Sequence, residues 1–153
     1  MRKRLKTPVI LLSALIALIV AGLTYIPYMQ MDGYVRRHVD FGRIYEASEF
    51  GIEAERLTLV TDDGLSLAAW RVDAEKPRAA VIFTSGIHNP SVTAFFGHAA
   101  MLQKEGFSSV LVEMRAHGES EGDLICLGTK EYLDVGAAAG YVQSIDPELP
   151  IVA

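Results

Sequence analysis

The chain has 153 residues, of which 50% are hydrophobic and 22% charged, a composition that excludes a disordered polar tail and allows one compact domain. The first 26 residues hold four of the 14 basic residues and none of the 19 acidic ones, which leaves ten basic residues and a net charge of −9 in the remainder. Because a surface of that charge repels phosphate backbones, we expect no nucleic-acid partner.

The amino-terminal segment is the first predicted element. Residues 1–7 are basic, and the apolar run Pro8 to Ile26 that follows is long enough to cross a bilayer core of about 30 Å. We predict a transmembrane signal-anchor over residues 8–26, with the membrane as its partner. A cleaved secretory signal, which needs only about 7 to 15 apolar residues, is the alternative and would give a secreted protein. The basic residues before the segment predict a cytoplasmic amino terminus and a domain on the extracytoplasmic side of the cell membrane.

The next region, residues 27–54, has no sustained hydrophobic period and is predicted to be a juxtamembrane linker with at most one short helical turn. A strand-like pattern starts at Glu55. Two such runs flank Asp62-Asp63-Gly64, and Asp-Gly supplies the positive φ angles that a tight hairpin needs. We therefore predict that the domain opens with an antiparallel pair.

Two later runs have the character of buried strands. Residues 79–84 are continuously apolar, as in a strand covered on both faces, and residues 109–114 are of the same type. Between them we predict a helix that begins after Pro90 and ends at a left-handed Gly106. A second helix follows, and Ile151 begins a third strand, so the order predicts parallel strands joined by helical crossovers. The predicted inner face of the second helix consists of Tyr132, Val135, Ala139 and Val142.

Two motifs directly follow the buried strands: Ser85-Gly86-Ile87 after the first, and the loop from Glu113 to Ser120, EMRAHGES, after the second. With the order of elements, they resemble the α/β-hydrolase superfamily, in particular its serine esterase, lysophospholipase and serine-aminopeptidase-like members. The resemblance implies that residues 55–153 form a truncated domain, the N-terminal half of an α/β-hydrolase fold. In this α/β fold class an antiparallel hairpin leads into a parallel sheet with flanking helices, here after an N-terminal transmembrane helix.

The resemblance also implies site residues. The backbone N–H of Ile87 would form half of an oxyanion hole, in which a donor held in place before reaction stabilises developing negative charge. Ser85 stands where the family commonly has histidine, a change that keeps the backbone donor. A structural rim around the site is implied for Ser85, Gly86, Arg115, His117, Gly118 and Ser120.

Ser120 lies in a literal G-x-S-x-G, the letters of a nucleophile elbow, but we do not assign it as the nucleophile. An elbow turns directly from a strand into a helix, whereas Arg115, Ala116 and His117 separate the G-x-S-x-G motif from its strand and no helical pattern follows it. Glu119 and Glu121 would also disfavour a nearby oxyanion. The family order is serine, acid, then histidine, so the triad is expected beyond Ala153 and the chain to be a fragment or a truncated product. The four histidines all precede Ser120: His38, His88, His98 and His117.

The function that this resemblance implies is a membrane-anchored serine hydrolase acting on ester, acyl or amide bonds of small or lipid-like substrates through an acyl-enzyme, without a cofactor. The alternative is a catalytically silent remnant or binding module. A dinucleotide-binding fold is the structural rival, but it needs a glycine-rich turn, and the turn from Ser85 to Pro90 has one glycine.

No metal site is predicted. His88 and His98 are ten residues apart without a metal-binding motif, and the acidic loop residues Glu119, Glu121 and Asp123 lack the glycine and terminal glutamate of a calcium loop. Cys126 is the only cysteine, which excludes an intrachain disulfide.

Overall fold

A computed structural model describes residues 6–87 and 90–153, with side chains from residue 8 onward. The chain divides into two units, Met1–Arg36 and Arg37–Ala153.

The first unit contains one helix, α1 (Lys6–Val35), whose 30 residues extend about 45 Å at 1.5 Å per residue. Over Pro8–Val35 it is long and apolar enough to cross a membrane, a property that a signal sequence shares. The helix continues through Pro27, so residues 27–35, which were expected in the linker, are helical. Proline removes one backbone donor, which an otherwise apolar helix tolerates. An ion pair between Arg36 Nε and Asp32 Oδ1, at 2.6 Å, joins two residues four apart at the carboxyl-terminal end.

The second unit is built on a five-stranded mixed sheet, whose strands span Glu55–Val60 (β1), Ser66–Val72 (β2), Ala79–Thr84 (β3), Phe107–Val112 (β4) and Ile151–Val152 (β5). Their order in the sheet is β1-β2-β4-β3-β5. The β1–β2 hairpin turns at Asp62-Asp63-Gly64 as predicted, with Gly64 at φ 87°. β2 pairs antiparallel with β4, and β3 pairs in parallel with β4 on one side and with β5 on the other.

Helices cover the two faces of this sheet. A 3₁₀ turn, Val92–Phe95, leads into α2 (Phe96–Lys104), and Gly106 follows in the predicted left-handed conformation, with φ 81°. The helix α3 (Glu131–Ile145) packs on the opposite face. Alternating strand residues feed two cores, since Val110 and Val112 of β4 face α3 and Leu111 faces α2. Both cores are apolar, which explains why the central strand β4 is buried almost throughout.

The stretch 37–54 differs from the linker that was expected. Val39 and Ile52 are buried, at 6% and 8% exposure, and Tyr45 packs against the α2-side core. A 3₁₀ turn, Ala47–Phe50, is the one short helical turn of this stretch. The sequence lacks a period here because its buried apolar residues, Val39 and Ile52, contact the domain from irregular backbone.

The predicted inner face of α3 is confirmed only in part, at Val142, which is buried, and at Ala139, which is half-buried against the core. Tyr132 is 66% exposed, and the line of buried residues along the helix is Asp134, Ala138 and Val142. Only Val142 belongs to both sets. The physical reason is the burial of a charged residue. Asp134 is fully buried because it pairs with the buried Arg115, whereas a search for apolar residues at helical spacing passes over an aspartate.

Candidate functional site

The two predicted motifs leave the sheet at one edge. β3 and β4 are parallel, and Thr84 stands opposite Val112 as the last residue pair of the ladder. The turn Ser85-Gly86-Ile87 and the loop that begins at Glu113 therefore start side by side at the carboxyl ends of their strands. In open α/β sheets, ligands bind at this edge.

The Ser85-Gly86-Ile87 turn is open to solvent. Ile87 is 39% exposed and Gly86 is exposed as well. Ser85 is half-buried, and its Oγ is shielded from solvent and has no hydrogen-bond partner among the described residues. The next residue in the chain, His88, lies outside the described residues.

Arg115 is the most constrained side chain of the second loop. Its guanidinium is 3% exposed and lies between two carboxylates, with Nη1 2.9 Å from Asp63 Oδ2 and Nε 2.9 Å from Asp134 Oδ1. Its backbone N–H also donates to Asp134 Oδ2, at 3.0 Å. The hydrogen bond from Arg115 holds the pKa of Asp63 well below its usual range. Arg115 thus joins the hairpin turn, the end of β4 and α3.

Glu113 is a second buried charge. It is fully buried, and its Oε1 accepts a hydrogen bond from Ser91 Oγ at 2.6 Å, while Oε2 accepts one from the Glu119 N–H at 3.0 Å. Thr93 Oγ1 donates to Ser91 Oγ at 2.9 Å, and the Tyr45 N–H donates to Thr93 Oγ1 at 3.0 Å. In this series of hydrogen bonds, every donor points toward the Glu113 carboxylate. The segment after the first motif is therefore hydrogen-bonded to the second.

Ser120 has a structural position. It is 1% exposed, its Oγ donates to the backbone oxygen of Glu113 at 2.6 Å, and the same Oγ accepts from the Ala68 N–H at 3.0 Å. The next helix does not begin until Glu131. The hydroxyl ties the loop to β2, and the backbone lacks the strand-turn-helix geometry that exposes a nucleophile.

His117 and Gly118 lie inside the loop rather than on an open rim. His117 is 3% exposed, its Nδ1–H donates to the Arg115 carbonyl at 2.8 Å, and its ring stacks on Phe41 with centroids 6.2 Å apart. Gly118 has φ 55°, and a Cβ there would overlap the Glu113 carboxylate and the Phe41 ring. Since Arg115 and Ser120 are buried too, three of the six residues assigned to a structural rim are buried in the loop, and Gly118 is half-buried.

The acidic loop residues are occupied by other partners. Glu119 pairs with Arg56, and Glu121 Oε2 accepts the Ser66 N–H at 2.8 Å. His98 is exposed on α2 with its ring against Phe95. Within residues 6–87 and 90–153, no three His, Cys, Asp or Glu side chains are grouped to hold a metal ion.

Solved structures with a similar fold are α/β hydrolases. The esterase Pf2001 of Pyrococcus furiosus aligns with 76% of this chain at 23% identity and a TM-score of 0.64. The α/β hydrolase GrgF from Penicillium sp. sh18 aligns with 66% of it at 20% identity and a TM-score of 0.53. An alpha-beta serine hydrolase homologue from Coxiella burnetii aligns with 63% at 18% identity and a TM-score of 0.53.

The chain has the α/β-hydrolase fold. It spans half or less of the length of these solved structures. The aligned share is 46% of the esterase, 35% of GrgF and 49% of the Coxiella protein. No family model matches the chain, and no curated protein does.

Within this α/β-hydrolase fold, several residues that organise the site edge were missed by the sequence reasoning. Asp63 was noted only for its turn, and neither Asp134 nor Ser91 was given a role. The one signal that could have found Asp134 is its spacing, because it lies four and eight residues before the buried Ala138 and Val142 on a helix. The partners of Glu113 come from distant segments and leave no local pattern.

We predict that Arg115→Met lowers the free energy of unfolding by about 3–5 kcal/mol, because it leaves the buried Asp134 carboxylate without its cation. Urea unfolding of the detergent-solubilised chain, followed by tryptophan fluorescence of Trp70, measures this loss. The matched control is Lys130→Met. It removes the ammonium group of a 56% exposed side chain, whose Nζ lies 3.6 Å from Asp63 Oδ2. The control should cost far less, and equal losses in the two variants would contradict the assigned role of Arg115.

We further predict that Gly118→Ala destabilises the domain by at least about 1–2 kcal/mol, the cost of a left-handed conformation in a residue with a Cβ, before the steric overlap is added. Gly136→Ala on α3 is the control, since its Cβ would meet nothing within 4 Å. That change should stabilise the helix by about 0.5–1 kcal/mol. Thermal unfolding of the two variants beside the wild type checks the opposite signs, and a neutral Gly118→Ala would refute the prediction.

Proposed function

We propose that the protein is a membrane-anchored serine hydrolase that cleaves ester, acyl or amide bonds of small or lipid-like substrates through an acyl-enzyme. The observation that carries the proposal is the exposed Ser85-Gly86-Ile87 turn at the carboxyl end of β3, the strand that pairs with both β4 and β5. The esterases among the similar structures support the reaction class as a proposal.

The register of β5 supports a place for the nucleophile. Ala80 pairs with Ile151 and Val81 with Val152, so a strand continued in this register reaches the level of Thr84 three residues after Val152. A turn directly after that point would lie beside Ile87. We therefore place the nucleophile in the turn that follows β5, beyond Ala153, with its acid and histidine further along the chain.

In this proposal the Ile87 backbone N–H donates to the oxyanion of the tetrahedral intermediate. The donor needs no movement when charge develops, because the turn is continuous with a hydrogen-bonded strand, and such a donor is worth about 2.7–4 kcal/mol in the transition state. Ser85 and Gly86 lie on the strand side of the donor, where the absent Cβ of Gly86 leaves room for a substrate carbonyl.

The membrane part of the proposal rests on α1. Its large apolar side chains are exposed, among them Leu11, Leu18 and Leu23 at 66%, 71% and 70%. An exposed apolar helix of this length requires an apolar environment, which a bilayer supplies. The basic cluster before it favours a cytoplasmic amino terminus and an extracytoplasmic hydrolase domain.

We predict that a fluorophosphonate probe, which reacts with activated serines, does not label the 153-residue chain in membranes. The protein encoded by the longest open reading frame that contains this chain should be labelled. Peptide mass spectrometry should place the label on a serine in the turn after β5. The control is Ser120→Ala in both forms, which should not change the labelling.

Labelling of the 153-residue chain that is lost on Ser120→Ala would overturn the assignment of the nucleophile. An open reading frame that stops at Ala153, together with an unlabelled chain, would refute the hydrolase proposal for this protein and favour a catalytically silent binding module.

We predict that Leu18→Arg, near the middle of the apolar segment, shifts the chain from the membrane pellet to the alkaline carbonate supernatant. An arginine at the centre of a spanning helix costs about 2.5–3.5 kcal/mol of insertion free energy. Met29→Arg, nearer the helix end, is the matched control and should stay in the pellet because its charge can reach the interface. A mature protein that begins after the apolar segment would show a cleaved signal and contradict the anchor.

A further inference from the structure

His38 is held between two backbone carbonyls of the loop that follows β4. Its Nε2 lies 2.7 Å from the Gly118 oxygen, and its Nδ1 lies 3.1 Å from the Gly122 oxygen. The two contacts join His38 to residues 80 and 84 positions away in the sequence. No part of the hydrolase proposal uses this residue.

Both contacts are hydrogen bonds in one protonation state only. A carbonyl oxygen only accepts hydrogen bonds, and a neutral imidazole carries one N–H, so it can serve one of the two carbonyls. Its other nitrogen would direct a lone pair at the second oxygen. Only the imidazolium donates to both Gly118 and Gly122.

His38 belongs to a segment that docks on the same loop through its backbone. The Val39 N–H donates to the Ala116 oxygen at 2.8 Å, and the Gly118 N–H donates to the Val39 oxygen at 2.9 Å. Val39 packs against Ala116 and Ile125 in a small separate core, with Phe41 beside it. We call residues 37–41 the docked segment.

We propose that the docked segment is a proton-controlled clamp: protonation of His38 fastens it to the loop of residues 115–122, and deprotonation loosens it. The docked segment comes directly after the first unit in the chain. Its release would free about five residues from the loop.

Charged groups around His38 support the clamp. The pKa of His38 is raised, mainly by the hydrogen bond with the Gly118 carbonyl and next by the hydrogen bond with the Gly122 carbonyl. Burial lowers this pKa, and the negative charges of Asp40 and Glu113 raise it. The other ionisable residues of the docked segment and the loop are Arg37, Arg115, His117, Glu119 and Glu121.

The sign of the pH dependence follows from this direction. A histidine with a raised pKa in the folded protein stabilises the docked state fully below its unfolded pKa of about 6.5. That stabilisation is lost as the pH rises through the higher folded pKa. The clamp is therefore closed in mildly acidic solution and opens toward alkaline pH.

The experiment uses the full chain in detergent micelles, with NMR titration of the histidine Cε1–Hε1 signals and amide hydrogen exchange corrected for the intrinsic pH dependence of exchange. We expect His38 to titrate above 6.5. We also expect the protection of the Val39 and Gly118 N–H groups to fall several-fold across that titration. His38→Gln should abolish the pH dependence, and His98→Gln, which changes an exposed histidine on α2, should preserve it.

Two results would overturn the clamp: a His38 pKa at or below 6.5, or protection of Val39 and Gly118 that does not change across the titration. Both are measured on the wild-type chain, so the proposal remains testable even if His38→Gln perturbs the fold. Neither result depends on whether the protein is a hydrolase.

Discussion

The arrangement of the second unit depends on the burial of one guanidinium. Arg115 is 3% exposed, and a cation in that position requires carboxylates within hydrogen-bond distance, because its desolvation is otherwise uncompensated. Asp63 is supplied by the hairpin turn and Asp134 by the first turn of α3. The position of the hairpin, the end of β4 and the start of α3 are therefore set by a single charge. Apolar packing alone would leave their relative positions less strictly defined, since it has no direction.

A second buried charge extends this order to the edge where the two motifs meet. The chain of donors from the Tyr45 N–H through Thr93 and Ser91 ends at Glu113, and the Glu119 N–H meets the same carboxylate from the other side. A carboxylate that only accepts gives all these hydroxyls one orientation. The Tyr45 backbone, the segment of Ser91 and Thr93, and the loop from Glu113 to Glu119 are thereby held together.

The sequence predicted those features whose causes are local. The Asp-Gly turn indicated the hairpin, the apolar runs indicated β3 and β4, and Gly106 indicated the end of α2. The features that were missed have long-range causes. Asp134 is buried by a partner 19 positions away, and Val39 by a loop more than 70 positions away, so no local apolar pattern marks either as buried, and Asp134 is marked only by its helical spacing from Ala138. The motifs indicated the fold through their residue types, but the interior positions of the loop side chains follow from partners that only the folded chain assembles.

The acidity of the loop is compatible with an oxyanion site because its charges have their own donors. Glu113 receives two hydrogen bonds, Glu119 meets the Arg56 guanidinium, and Glu121 meets the Ser66 N–H. A carboxylate whose oxygens are bound in this way exerts a weaker field on its surroundings than a free one, since the donor dipoles oppose it. The same charges would disfavour an alkoxide at Ser120, which lies among them with its hydroxyl already bonded. The electrostatics of this edge therefore disfavour negative charge within the loop, in keeping with the structural position of the Ser120 hydroxyl.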